Sequence, residues 1–260
     1  LIEKQAIKNR LVVIIPIFNE GNNLTNLFVN LNNWINNHKL ESELVEFFFL
    51  NDGSTDDSLS ILNSNCKESN IFSVYSSDRN LGYGGIINYS KKLDLRKFDF
   101  IVVMDSDLTN PLESLNLLTR VSIVELSYVK FTRYRFGGEM INVGLIRNIL
   151  SKTGNIISRI LTLFLISDPT NGFRACPTKM WENLITQDSG FPSIVEELYR
   201  AYSLTDKILE FPTTLDQSNA IRQTSSFNFN WSLIAKYLKW SYKIGCIKLA
   251  RYFWKSLDQN

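Results

Sequence analysis

The sequence predicts an α/β protein with a mostly parallel sheet flanked by helices, on three observations. Apolar runs of strand length recur at "LVVIIPIF" (11–18), "LVEFFFLND" (44–52), "IFSVYSS" (71–77) and "FDFIVVMDSD" (98–107). Between them lie "NLTNLFVNLNNWI", "STDDSLSILNSNC" and "GGIINYSKKLDL", whose apolar residues are spaced for helices. Strand–helix–strand units give parallel pairs, because the crossover helix returns the chain to the edge it left. Thirdly, polar residues gather just past the strand ends: Asn19 and Glu20, Asp52, Arg79 and Asn80, then Asp105 and Asp107. Such sheets bind ligands beyond the carboxyl ends of their strands, so four ends converge on one expected site.

Each element has its own signal. Ser54 or Thr55 is placed to cap the helix that follows the second strand. Beyond residue 111 the alternation loosens. "VELSYVKFTRY" reads as a strand, 142–165 as a long helix and "SDPTNGFRACP" as a polar loop. Helices follow near 178–186 and 193–203, then a short strand "KILEFP" and a last helix over about 228–257. There are no repeats and no low-complexity linker.

Composition narrows the chemistry. A hydrophobic share of 44% and a charged share of 21% suit a soluble globular protein. A net charge of +2 is too small for a nucleic-acid binder. The sole histidine, His38 in "NNWINNHKL", reads as a solvated helix residue, which removes Ser-His-Asp, Cys-His and His-rich zinc chemistry. Cys66, Cys176 and Cys246 have no metal-ligand spacing and read as reduced thiols, which suits a cytoplasmic protein. No apolar run reaches membrane-spanning length, and "LIEKQAIKNRLVVIIP" lacks the features of a signal peptide.

Asp105-Ser106-Asp107 raises the sharpest question. Like charges so close repel each other, so a cation is expected beside them. Mg²⁺ or Mn²⁺ takes hard oxygen ligands, usually one or two carboxylates plus phosphate oxygens. The alternative is a solvated turn in which the aspartates cap a helix. "NLGYGGIIN" does not complete Gly-x-Gly-x-x-Gly and lacks the acidic partner of a nicotinamide site. Its glycines are better read as points of close backbone approach.

In this order and at these spacings, "VVIIPIFNE", "LNDGSTDDS", "DRNLGYGG" and "MDSDLTNP" resemble the family 2 glycosyltransferases. Within them the chain is most similar to the dolichyl-phosphate mannosyltransferase and bacterial polyprenyl-phosphate branch, over about residues 11–227. The resemblance implies a GT-A fold, a nucleotide-sugar donor (UDP or GDP), inversion at the anomeric carbon and a Mg²⁺ or Mn²⁺ cofactor. It implies a glycosyltransferase domain over 1–227, with a nucleotide-binding half (11–111) and an acceptor half (112–227), ahead of a helical tail (228–260).

Carried over by position, Pro16, Asn19 and Glu20 would hold base and ribose, and Asp52 the edge of the base. Arg79 would complete the donor side, and Asp105 and Asp107 would bind the metal, Asp107 acting in catalysis. Thr109 stands where the branch often has Gln. "FTRYRFGGEMIN" and "SDPTNGFRACP" resemble the branch's acceptor segments, implying Arg133, Lys152 and Arg174 as contacts to a lipid phosphate. Asp168 and Arg174 could touch acceptor or donor, but an internal ion pair is the favoured reading for them. Arg222, in the shortened "SNAIRQTSSF", would face the donor diphosphate, and Ser225 and Ser226 are doubtful ligands. Glu196 and Glu197 sit where relatives with hydroxyl acceptors keep a catalytic base, although in the phosphate-using branch the Glu matching Glu196 is structural. A polyprenyl phosphate acceptor is favoured over a sugar hydroxyl in glycan assembly, and a non-catalytic nucleotide-sugar-binding scaffold is the further alternative.

The tail carries Leu233, Tyr237, Trp240, Ile244, Ile247 and Trp254 along one side, with Lys236, Lys239, Lys243, Lys248 and Lys255 around it. That pattern suits peripheral binding to an anionic membrane. A helix packed on its own domain would look the same.

Overall fold

The structure, a computed structural model, describes residues 9–120, 127–217 and 231–257, side chains of 145–150 and 255–257 excepted. The first part runs β1 (Leu11–Ile17), α1 (Gly21–Asn37), α2 (Lys39–Ser42), β2 (Val45–Asp52), α3 (Ser58–Cys66) and β3 (Phe72–Ser77). It closes with α4 (Tyr83–Ser90), β4 (Phe100–Val103) and α5 (Ser114–Arg120). The second part holds β5 (Tyr128–Thr132), β6 (Glu139–Ile141), α6 (Leu145–Leu161), β7 (Arg174–Pro177) and α7 (Thr178–Trp181). Then come α8 (Ser193–Leu204), β8 (Ile208–Pro212), β9 (Thr214–Asp216) and α9 (Trp231–Leu257).

Among the described residues seven strands form the central sheet, in the order β3-β2-β1-β4-β7-β5-β8. Among the described strands only β7 runs against its neighbours, pairing antiparallel with both β4 and β5. Consequently β1–β5 all end at one edge, and β7 begins there, with Arg174 opposite Val103. A separate two-stranded sheet pairs β6 with β9 in parallel.

Side chains of a strand alternate between faces, and here the alternation sorts two cores. Leu11, Val13, Ile15, Phe47, Phe49, Phe100 and Val102 pack against α1, α3 and α5. Val12, Ile14, Phe48, Leu50, Ile101 and Val103 pack against α4, α7, α8 and α9. Burial on both faces explains the nearly continuous apolar runs read as strands.

Three local readings change. "SDPTNGFRACP" is not loop throughout: its last four residues are β7, buried at every position. The helix expected to be capped by Ser54 or Thr55 starts only at Ser58, because Asp56 accepts the N–H groups of Ser58 (3.0 Å) and Gly21 (3.0 Å). The expected helix near 178–186 is the single turn α7.

Candidate active site

At the β1 end, Asn19 adopts a left-handed conformation (φ 54°), and its N–H donates to Ser54 Oγ at 3.0 Å. Its Oδ1 accepts from the N–H of Thr55 (2.8 Å), and Glu20 N–H donates to Ser58 Oγ (2.9 Å). The loops after β1 and β2 are thereby stapled together. Gly53 (φ 64°) lets the second loop touch the third: a Cβ there would come within 2.5 Å of the Arg79 carbonyl carbon. Asp52 is buried, and its Oδ1 accepts the Leu81 N–H at 2.6 Å. Burial raises its pKa, tempered by the N–H groups of Leu81 and Gly82. Asp52 therefore ties two loops, and only its other oxygen is left for the base contact implied by the resemblance. Pro16 and Glu20 are half-buried on this edge, and Arg79 is exposed.

Asp105 and Asp107 leave the end of β4, both half-buried. Burial and then the Asp107 charge push the Asp105 carboxyl up to about 7. Two carboxylates in mutual repulsion are the oxygen donors that a divalent cation prefers. Thr109 makes a contact that its position alone did not reveal: its hydroxyl (2.9 Å) and its N–H (3.1 Å) both donate to Asp107 Oδ1. Asn23 of α1 braces the same loop by donating to the Ser106 carbonyl at 3.1 Å. Among the described residues no group of three or more His, Cys, Asp or Glu could hold a metal. Asp105 and Asp107 would therefore hold the cation with the rest of its shell supplied by donor oxygens and water, and the donor set fits Mg²⁺ or Mn²⁺.

Behind Asp105 lies a buried charge cluster. Arg174 donates to Glu197 twice (2.7 and 3.0 Å), to Tyr83 Oη (3.0 Å) and to the Gly172 carbonyl (2.7 Å). Gly172 in turn abuts Asp105: a Cβ there would lie 3.1 Å from Asp105 Oδ2. Burial by itself would raise the Glu197 carboxyl, but Arg174 and Lys91 carry it down to about 2. Burial, then the Arg174 charge, pushes the Lys130 ammonium down to about 7, and its Nζ donates to the Asn171 carbonyl.

These contacts bear on the residues expected on the acceptor side. Arg174 is 1% exposed and spends four hydrogen bonds on internal partners, so it braces the site and does not meet an acceptor. Its ion pair is with Glu197; Asp168 pairs with Arg133, which donates through Nε (2.7 Å) and Nη2 (2.9 Å). Glu196 is fully buried, accepting from the N–H groups of Gln187 and Asp188 (2.9 Å each) and from Arg200 at 2.7 Å. It clamps a loop and has no lone pair directed to catalysis. Lys152 is exposed on α6 and does not line the cavity described next. Arg222, Ser225 and Ser226 lie outside the described residues.

A cavity of about 1000 Å³ opens on the aspartate pair. Its head is Asp105, Asp107, Thr109, Arg133, Thr170 and Asn171; its body is largely apolar, with Met140, Val143, Ile157, Ile194, Leu215, Ile234 and Leu238. The donor-side residues Pro16, Asn19, Asp52 and Arg79 share the sheet edge but not this cavity. α9 forms one wall. Its Trp240 and Ile244 are buried in the domain core, with Tyr237 and Ile247 packed against them, so that much of the expected membrane face is a packing face.

A parallel sheet with one reversed strand and a paired-aspartate turn define the GT-A fold of sugar-nucleotide enzymes. A model of the family described as Glycosyl transferase family 2 matches residues 12–183, and the chain belongs to that family. Within it, the chain is similar to Dolichol-phosphate mannosyltransferase of Pyrococcus furiosus, at 26% identity over 242 residues. The match covers 89% of this chain and 62% of that protein, so the chain spans less than two thirds of the relative's length. Among solved structures, glucosyl-3-phosphoglycerate synthase of Mycobacterium tuberculosis in complex with Mn²⁺, uridine diphosphate and phosphoglyceric acid has a TM-score of 0.59 at 17% identity, covering 90% of this chain and 78% of that one. S. aureus TarS 1-349 has a TM-score of 0.53 at 14% identity, covering 90% and 72%. At such identities the likeness is one of fold.

Proposed function

We propose that the protein is an inverting glycosyltransferase that moves a sugar from a UDP- or GDP-sugar to a polyprenyl phosphate. The observation that carries this reading is the cavity, with a charged head at the aspartate pair and an apolar body sized for a hydrocarbon chain. A hydroxyl acceptor needs a positioned base to take its proton. Glu196 and Glu197, the candidates for that base, are both committed to internal hydrogen bonds. A phosphate monoester has a second pKa near about 6, so it is already anionic at pH 7 and needs no base.

In this reading Asp105 and Asp107 hold Mg²⁺ or Mn²⁺, which when bound would neutralise charge on the departing nucleoside diphosphate. Thr109 fixes Asp107 for that task. Arg133, kept in place by Asp168, supplies positive charge at the cavity head for the acceptor phosphate. Asn19, Glu20, Asp52 and Arg79 receive the nucleoside; the family resemblance assigns the diphosphate to Arg222, which lies outside the described residues. The relative's name, and the Mn²⁺ and uridine diphosphate bound by the structural neighbour, support the donor, metal and lipid-phosphate assignments. A lipid acceptor places the chain peripherally on the cytoplasmic face of a membrane. No described helix is long and apolar enough to cross one.

The test is a panel of UDP- and GDP-sugars offered with polyprenyl phosphate or with simple glycosides. Metal-dependent transfer to the lipid phosphate is expected. Transfer to glycosides alone would replace this reading with direct glycan assembly, and donor binding without any turnover would leave a nucleotide-sugar-binding scaffold.

A further inference from the structure

Two neighbouring residues after α6 break a backbone rule. Leu163 (φ 52°) and Phe164 (φ 56°) are both left-handed, and neither is glycine. Such conformations are costly for side chains with a Cβ and persist only where surrounding contacts impose them. Here the Leu163 N–H donates to the Ile160 carbonyl (2.9 Å) and the Phe164 N–H to the Arg159 carbonyl (2.8 Å). From α9, Lys248 Nζ donates to the Leu163 carbonyl at 2.7 Å. The result of this strain is exposure: Phe164 is 66% and Leu163 36% accessible. Burying them would be the ordinary outcome for such residues, so a turn built to present them calls for a partner.

The surroundings indicate which partner. Ile156 and Ile160 lie exposed on the last turns of α6, and Arg159 stacks over Phe164 at 5.8 Å. On α9, Tyr252 follows Lys248 by one turn and is 72% exposed. α6 and α9 together carry nine of the chain's 28 basic residues and none of its 26 acidic ones. The remainder of the chain therefore has 19 basic against 26 acidic residues. An exposed apolar patch on helices that carry lysines and arginines and no acidic residue of their own fits a surface that is apolar inside and anionic at its face.

We propose that the Leu163–Phe164 turn, the outer side of α6 and the far end of α9 dock on an anionic phospholipid bilayer, with Leu163 and Phe164 inserted below the headgroups. This goes beyond the acceptor assignment and stands on this surface alone, whichever acceptor is used. It also differs from the tail face read from the sequence, where Trp240 and Ile244 are buried and Leu233, Tyr237 and Ile247 half-buried.

The experiment compares the full chain with Leu163→Asn/Phe164→Asn in co-flotation with phosphatidylglycerol-containing or pure phosphatidylcholine vesicles. Asn tolerates the left-handed region, so the variant is expected to melt no lower than the parent. The parent should bind anionic vesicles in a salt-sensitive way, and the variant about 10-fold or more weakly. Its transfer to a short, water-soluble prenyl phosphate should be unchanged, which separates this proposal from the acceptor reading. Equal binding by parent and variant would overturn it, as would equal binding to neutral vesicles. So would a parent that binds no vesicle but forms a dimer abolished by the two substitutions, since the patch would then be a self-association face.

Discussion

In residues 11–111 the polar residues sit on loops at the strand ends, braced by local hydrogen bonds: the backbone N–H groups of Asn19 and Glu20 donate to Ser54 and Ser58 of the next loop, and Thr109 donates to Asp107 within its own loop. In residues 127–217 the charged side chains behind the aspartate pair and its cavity are inside the fold: Lys130, Asp168, Arg174, Glu196 and Glu197 are each at most 1% exposed. The first arrangement leaves oxygens at a solvent-reachable edge, where a ligand can take them. The second spends its charges on one another. A charged residue beside a site therefore serves it in different ways in the two halves, by contact in one and by bracing in the other.

The largest effect should come from the buried pair. Removing one partner of a buried ion pair strands the other charge, at a cost of about 3–5 kcal/mol. Glu197→Ala is expected to lose that much in urea unfolding, and Arg174→Met/Glu197→Leu to regain most of it. A loss under about 1 kcal/mol, the size of a surface pair, would erase the contrast between the halves.

The same pair sets an acid limit. Glu197 has its folded pKa depressed from 4.5 to about 2, so its contribution is complete above 4.5 and is lost as pH falls towards 2. Stability measured from pH 6 down to pH 2 should decline through that window. In Arg174→Met/Glu197→Leu the decline should be shallower, and an identical slope would assign the acid lability to other carboxylates.

At the strand ends the cost should fall on function and not on folding. Asp107→Ala is expected to lower transfer by about 100-fold or more, the several kcal/mol that a metal-held charge supplies, with its melting temperature little changed. Chelation with EDTA should silence the parent and Mn²⁺ or Mg²⁺ restore it, while neither rescues Asp107→Ala. A metal-free enzyme at full rate would break the functional half of the comparison.

The smallest effect sharpens the division. Glu196→Gln keeps the volume and a carbonyl oxygen for the Gln187 and Asp188 N–H groups, so it should cost about 1–2 kcal/mol and leave the transfer rate nearly intact. A folded, donor-binding but inactive Glu196→Gln would return Glu196 to the role of catalytic base and favour a hydroxyl acceptor.

The sequence by itself determined the parallel half of the sheet, the family and the convergence of Asn19, Glu20, Asp52, Asp105 and Asp107. Those features are encoded locally, in strand periodicity and in polar residues fixed to strand ends, and parallel crossovers bring the ends together whatever else the chain does. Tertiary structure decided the pairing of charges across elements. Arg174 and Glu197 lie 23 residues apart on β7 and α8, and Arg133 and Asp168 lie 35 apart, so no spacing rule links them. β7 itself was hidden because a four-residue strand that begins with Arg looks polar until its partner is known. Thr109 was visible as a departure from the family pattern, but only its two hydrogen bonds to Asp107 gave it a task. The tail helix shows the same limit: its lysines and aromatics fit a membrane or a core equally well, and packing against α8 and α6 chose the core for Trp240 and Ile244 while leaving Tyr252 and Trp254 exposed. Periodicity reports which side of a helix is apolar, and only the neighbours determine what that side touches.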